Sequence, residues 1–444
     1  MAGSPLLQVL QKSSTPEKTF GFGCPTTMKN ELKLSRGLRD HQGSKKDNKL
    51  PIGKRVFEPF LLFLRLGVTS FGGPIAHLGY FRQEFVERRC WLSDRSFADL
   101  VALCQFLPGP TSSQVCYSIG MTRGGLLGAF AAWLGFTLPS GILMILAAYG
   151  IRWIRDQEAA GWLHGLKIVA VAVVVQAVWS MATKLCTDRL RITFATVAAV
   201  AVLMANNSLI QVLIIGLGGL AGWKLLPEKG ATETGESFEL LPSHRLSFFS
   251  SALFAFCLLL VPALAAGKSD GWLPLFDSFY RSGSLVFGGG HVVLPLLQAE
   301  VVPKGWEDNN TFLAGYGLAQ SLPGPLFSFA AYLGAAKSGS PSGWPVGLWC
   351  LFAILLPSML LVNGVLPFWN RLRNSSSAQA ALAGANATVV GVLLAALYQP
   401  IWTSAIDSPK SFSLALLLFC CLQFWKIAPW ILVGIAAICG GLFL

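Results

Sequence analysis

Apolar residues run in blocks of roughly 20 along most of the chain, the length that crosses a bilayer's hydrocarbon core as one α-helix. Blocks lie near residues 56–76, 97–118, 125–150, 163–183, 192–206 and 208–224. A polar stretch follows, carrying Lys229, Glu233, Glu236, Glu239, His244 and Arg245. Further blocks lie near 247–266, 273–298, 311–336, 344–368, 378–398, 411–424 and 427–444. The pattern predicts an all-α polytopic membrane protein of about 13 spans, of which 192–206 and 411–424 are short.

The blocks repeat. Residues 91–110 and 306–325 align without gaps at an offset of 215, and eight of the 20 positions are identical. Phe71-Gly72-Gly73 matches Phe287-Gly288-Gly289 upstream, and Leu138-Pro139-Ser140 matches Leu356-Pro357-Ser358 downstream. Several matches in one order indicate an internal duplication. The chain thus divides into a basic tail over 1–55, expected to be disordered and cytosolic, and a first repeat over 56–225. A polar linker with a joining span covers 226–272, and a second repeat covers 273–444. A single joining span between two six-span copies would invert the second copy. Inverted-topology repeats with broken helices recur among secondary transporters.

Composition agrees with the pattern. Of 444 residues, 53% are hydrophobic and 13% charged, where a soluble domain carries about 25% charged residues. That excludes disorder as the main state and argues against a water-soluble enzyme. Net charge is +12, and residues 1–55 hold 11 Lys and Arg against 4 Asp and Glu. A basic chain can signal nucleic acid, but a cationic tail beside apolar spans marks the cytoplasmic side of a membrane. The partner expected is the lipid bilayer and not nucleic acid. With the N-terminus inside, 22 Lys and Arg fall inside, 9 outside and 3 within spans; without the tail the split is 11 against 9. The ten cysteines contain no Cys-x-x-Cys, so no metal site or disulfide framework is expected.

Candidate chemistry gathers at the repeat motifs. Arg65 and Arg281 both stand six residues before a Phe-Gly-Gly. An arginine inside a span is costly and marks function by default, and its planar donors suit a tetrahedral oxyanion. The competing reading is snorkelling, or pairing with a local acid such as Glu58 or Asp277. Gly72, Gly73, Gly288 and Gly289 interrupt a helix, and the freed N–H groups and new helix N-termini attract anions. Close packing by small residues is the alternative. Leu107–Pro110 and Leu322–Pro325 make a second pair of breaks, because proline removes a donor. Gln105, Gly109, Gln320 and Gly324 hold equivalent places there. Thr111, Ser112, Ser113 and Gln114 follow the first break, whereas Leu326, Phe327 and Ser328 follow the second, which makes the copies unequal. A kinked helix without a ligand is the alternative. His77 and His291 lie near the breaks but out of register; they are candidates for proton coupling because imidazole titrates near neutral pH, or else structural.

Enzyme signatures are missing. Gly267-Lys268-Ser269 lacks the glycine of a phosphate loop, since position 262 is proline. No H-E-x-x-H or G-x-S-x-G occurs. No cofactor is expected, and a membrane enzyme acting on an anionic lipid remains only a competing class.

The strings from Phe71 to Phe81, Gln105 to Gln114, Ala132 to Ser140, Phe287 to Leu297 and Gly315 to Pro325 resemble the chromate ion transporter family, in its long two-half members. The resemblance covers about 56–440. It implies a carrier with halves of opposite orientation that exports chromate and gives chromate resistance, with sulfate as the chemical relative. A sulfate transporter working by uptake or exchange, and an anion channel, are the alternatives. The long basic tail departs from the family pattern; the plasma membrane is the expected location, and a homodimer is left open. An inside-negative potential expels anions at about 2.3 kcal/mol per charge per 100 mV, so efflux needs no nucleotide.

Overall fold

The computed structural model describes residues 51–155, 160–205, 208–226 and 242–443, apart from 269 and 288; of Ile52, Ile75, 152–155, Ala160, Ser208, Leu209, Asn370 and Phe443 it describes the backbone alone. Most of the basic tail, the charged centre of the linker and Gly288 therefore lie outside the described residues.

The described residues are helical, with no strand among them. The first copy comprises α1 (Ile52–Thr69), α2 (Gly73–Phe81), α3 (Asp94–Phe106), α4 (Thr111–Arg155), α5 (Ala160–Leu185), α6 (Arg189–Met204) and α7 (Ser208–Leu225). Joining helix α8 (His244–Leu259) extends by one turn over Val261–Ala265. The second copy comprises α9 (Trp272–Ser284), α10 (Val293–Val301), α11 (Asn309–Ala319), α12 (Phe329–Ala336), α13 (Trp344–Val365), α14 (Ser376–Ala396), α15 (Pro409–Gln423) and α16 (Pro429–Phe443). The order is the same in both copies. Helix α4 is two helices that fold back on each other at Gly124 and Gly125, where a Cβ on Gly120 would lie 2.6 Å from the Ala132 Cβ, and these correspond to α12 and α13. Five helices are long and apolar enough to cross a membrane, among them α8, α13 and the run from Thr111 to Ile151.

Local signals explain the boundaries. The Ser93 hydroxyl accepts from the Ser96 N–H and caps α3. The Asp308 carboxylate accepts from the Asn310 and Thr311 N–H groups and caps α11 at the equivalent place. Such caps satisfy donors that a helix start leaves free. The apolar blocks at 56–76, 97–118, 273–298 and 311–336 are each broken at or beside the expected motifs, at Ser70–Gly72, Leu107–Pro110, Leu285–Phe287 and Gln320–Pro325. Gly72 and Gly73 have φ of +101° and +76°, and Gly109 and Gly324 have +117° and +92°. Side-chain-bearing residues avoid that region, so glycine is what permits these turns.

Packing is reciprocal between the copies. Helices α6 and α7 pack on α14, while α15 and α16 pack on α5. The two central helices α5 and α14 are thus each clad by the last two helices of the other copy. Small residues let them approach: a Cβ on Gly222 of α7 would lie 2.6 Å from the Ala380 carbonyl oxygen, and one on Gly161 of α5 would lie 2.6 Å from the Gly440 carbonyl oxygen. Close backbone approach of this kind is the usual basis of helix association in a membrane. The exterior is apolar, with Phe57 59% and Leu146 60% exposed on α1 and α4. The equivalent face of α9 and α13 is covered by α8, through Cys257, Val261, Tyr280 and Leu360, and the Tyr280 hydroxyl donates to the Phe254 carbonyl at 3.2 Å.

Replacing Gly384, whose Cβ would lie 2.6 Å from the Gly222 Cα, by Val should cost about 1–3 kcal/mol through overpacking. Gly216→Val, at an open position, should not lower stability. Thermal unfolding of the purified variants in detergent checks the pair.

Candidate functional site

The four breaks meet. The Gly109 N–H donates to the Val286 carbonyl at 2.7 Å, and the Gly324 N–H donates to the Ser70 carbonyl at 3.0 Å. These two bonds are equivalent under the repeat: each Pro-Gly-Pro glycine of one copy closes on the residue just before Phe-Gly-Gly in the other. The serines of the two Leu-Pro-Ser strings complete the pattern. A Cβ on Gly109 would collide with the Ser358 hydroxyl, and one on Gly324 would come within 2.9 Å of the Ser140 hydroxyl. Between the two halves, a Cβ on Gly290 would touch the Pro74 ring at 3.6 Å. The result is one crossing of broken helices, with the N-termini of α2 and α4 starting from it.

Polar groups at this crossing are short of partners. The hydroxyls of Ser70, Ser113, Thr137 and Ser358, the Gln114 Oε1, the Gln320 Nε2 and both ring nitrogens of His77 are buried without a hydrogen bond. Buried polar atoms normally find a partner, and an unpaired one costs about 1–3 kcal/mol. Gathered at one place, these groups can donate to or accept from a polar ligand. Most belong to the first copy, in line with the polar Thr111–Gln114 turn there. In the second copy, His291 Nδ1 is hydrogen-bonded to the Tyr316 hydroxyl at 2.8 Å.

The residues singled out from sequence separate into groups. Gly72, Gly73, Gly109, Thr111, Ser112, Gly289 and Gly324 lie at or beside the crossing, with Ser112 buried and Gly72 exposed. The Thr111 hydroxyl turns back to the Cys104 carbonyl at 3.4 Å, and Gln320 is half-buried. His77 is 1% exposed, faces the Ser70 backbone and sets its ring edge against Phe136 at 5.3 Å. Gln105, by contrast, is exposed on α3 and shares nothing with the crossing.

The arginines are not brought together, and their surroundings differ. Arg281 donates to Asp277 at 2.9 Å and to Glu300 at 3.0 Å, so its charge is met by two carboxylates. This is the local-acid pairing that the sequence held as the alternative. Arg65 has no ion pair among the described residues and lies exposed on α1, on one face with Phe57, Leu61 and Val68.

A repeated ion cluster escaped the sequence reading. Glu84 takes Arg89 at 2.8 Å and Arg88 at 3.4 Å, and Arg123 stacks over Trp91 at 4.6 Å. Glu300 takes Lys304 at 2.9 Å besides Arg281, and Lys304 stacks over Trp306 at 4.8 Å. Glu84/Glu300 and Arg88/Lys304 are equivalent at an offset of 216, a signal that comparison of the copies beyond the glycine motifs would have exposed. These clusters tie α2 to α1, where Arg89 also reaches Glu58 at 3.1 Å, and α10 to α9.

The family profile described as "Chromate transporter" matches residues 57–223 and again 273–441. A chromate transport protein of Pseudomonas aeruginosa is 29% identical over 75% of this chain and 78% of its own. One of Cupriavidus metallidurans is 24% identical over 86% of this chain and 91% of its own. An uncharacterized transporter of Methanocaldococcus jannaschii is 23% identical over 76% and 82%. No solved structure matches the chain.

Glu300→Gln removes a buried carboxylate that both Arg281 and Lys304 share, and should destabilise by about 3–5 kcal/mol. Asp94→Asn breaks an exposed pair with Arg82 and should cost at most about 1 kcal/mol. Unfolding midpoints in detergent separate the two.

Proposed function

Since the chain belongs to the chromate transporter family, we propose that it is a secondary transporter that carries chromate out of the cell and so gives chromate resistance. It is an integral membrane protein, and the plasma membrane is where export would act. The observation that carries the reading is the crossing of four broken helices with its unpartnered hydroxyls, amides and imidazole. A tetrahedral oxyanion accepts hydrogen bonds on every oxygen, and those groups together with helix N-termini supply donors. Irregular backbone at membrane depth is tolerated where protein or a water-filled cavity covers it, which fits a transport site better than a plain kink. The names of the relatives support chromate as the cargo.

Gly72, Gly73, Gly109, Gly289 and Gly324 would let backbone approach the anion, with Thr111, Ser112 and Gln320 beside them. His77 and His291 are the titratable groups at hand. Arg65, on the exposed face, would draw anions toward the crossing, and Arg281 would hold α9 to α10. The copies are proposed to be inverted, because one joining helix, α8, separates two copies of the same helix order.

Labelled chromate uptake into inverted vesicles, with and without a potential, tests the function, with sulfate as the competing tetrahedral dianion. Chromate accumulation that follows the potential is expected; sulfate transport alone would overturn the assignment. Gly109→Leu and Gly324→Leu should abolish uptake while the protein still inserts. Single cysteines placed near Ser93 and Asn309 should be labelled from opposite faces of the membrane; labelling from one face would end the inverted-repeat reading.

A further inference from the structure

Among the described residues, the crossing holds polar groups but no fixed cation. Arg281 is spent on Asp277 and Glu300. Arg65 faces outward among Phe57, Leu61 and Val68. Other charged side chains of α1, of the turn 82–89 after α2 and of the first half of α4 are engaged elsewhere: Arg82 with Glu87 and Asp94, Arg55 on the Arg123 carbonyl, and Glu58, Glu84, Arg88, Arg89 and Arg123 with one another in the Trp91 cluster. From the second copy, the turn over Gln320–Ser328 and helix α12 carry no charged residue.

What the crossing offers an anion is two helix N-termini. Helix α2 starts at Gly73 and runs nine residues, and α4 starts at Thr111. A helix N-terminus acts as roughly half a positive charge, so the two together match about one negative charge. The unpartnered hydroxyls of Ser70 and Ser113, 0% and 2% exposed, add donors without adding charge. A chromate dianion would keep one charge uncompensated in an apolar interior. There the cost is so high that a group changes its protonation instead. Two imidazoles stand at the crossing: His291 is already held by the Tyr316 hydroxyl at 2.8 Å, whereas His77, 1% exposed, has no side-chain hydrogen-bond partner and faces only the Ser70 backbone.

We propose that chromate crosses with one net negative charge, its second charge balanced by a proton carried on His77 from the side where the anion binds and released with it. The proposal rests on the transport reading above. Dianion and proton move together, so the pH gradient and the potential both set the flux.

The test uses the full-length protein in liposomes, with chromate gradients balanced by an imposed potassium diffusion potential. For one net charge, a tenfold chromate gradient balances at about 59 mV; for two, at about 30 mV. The expected value is the larger, and it should shift by about 59 mV for each unit of pH difference. Balance near the smaller value with no shift would overturn the proposal and leave the transport reading intact. Absence of any chromate flux in the wild type would overturn both. His77→Gln keeps side-chain hydrogen bonding but cannot carry the proton, so it should lose the pH shift and at least about tenfold in turnover. A variant that still shows one net charge and the full shift would place the proton on the anion as hydrogenchromate and overturn the role of His77.

Discussion

A helix broken inside an apolar layer must find partners for the backbone groups it frees, because no water is there to take them. Here each copy answers that demand for the other. Gly109 donates to Val286 across the halves, and Gly324 donates to Ser70. Neither bond can form within one copy. The exchange of α6 and α7 onto α14, and of α15 and α16 onto α5, follows the same logic on a larger scale. The crossing therefore needs two copies of the motifs, and this chain supplies both by duplication.

Glycine at the four breaks follows from the same bonds. Positive φ lets the chain turn, and the missing Cβ leaves room for the serines of the Leu-Pro-Ser strings at Gly109 and Gly324. A larger residue would push apart the two backbones that satisfy each other. The polar side chains then divide by place. At the rim, Glu84 and Glu300 gather arginines and lysines beside Trp91 and Trp306. At the centre, hydroxyls, amides and one imidazole stay unpaired. Charge holds the half-helices, and uncharged donors line the place where they cross.

The copies have diverged where symmetry would have been costly or idle. Helix α8 covers α9 and α13, while the matching face of α1 and α4 stays exposed and apolar. A single joining helix can cover only one of two equivalent faces. Arg281 has Asp277 as a partner one turn away, where the first copy has Leu61; near Arg65, Glu58 is taken by Arg89 and Arg123 instead. The first copy kept Thr111 to Gln114 after its break, and the second filled the same turn with Leu326 and Phe327.

Much of this was legible in the order of residues. Apolar runs of spanning length, the duplication, the breaks at Phe-Gly-Gly and Pro-Gly-Pro, and the polar bias of the first copy all depend on local composition and spacing, which a one-dimensional string carries in full. The arginines show where that ends. Arg65 and Arg281 hold the same position in the string, yet one is exposed and the other is bound by two carboxylates, because Glu300 reaches Arg281 from 19 residues away. Gln105 and Gln320 part in the same way, and so do His291, held by Tyr316, and His77, which no side chain reaches. Sequence placed the breaks because glycine and proline act on their own backbone. Which break closes on which depends on contacts between the two copies, and which charge is already met depends on how neighbouring helices fold back on each other; only the tertiary structure decides those.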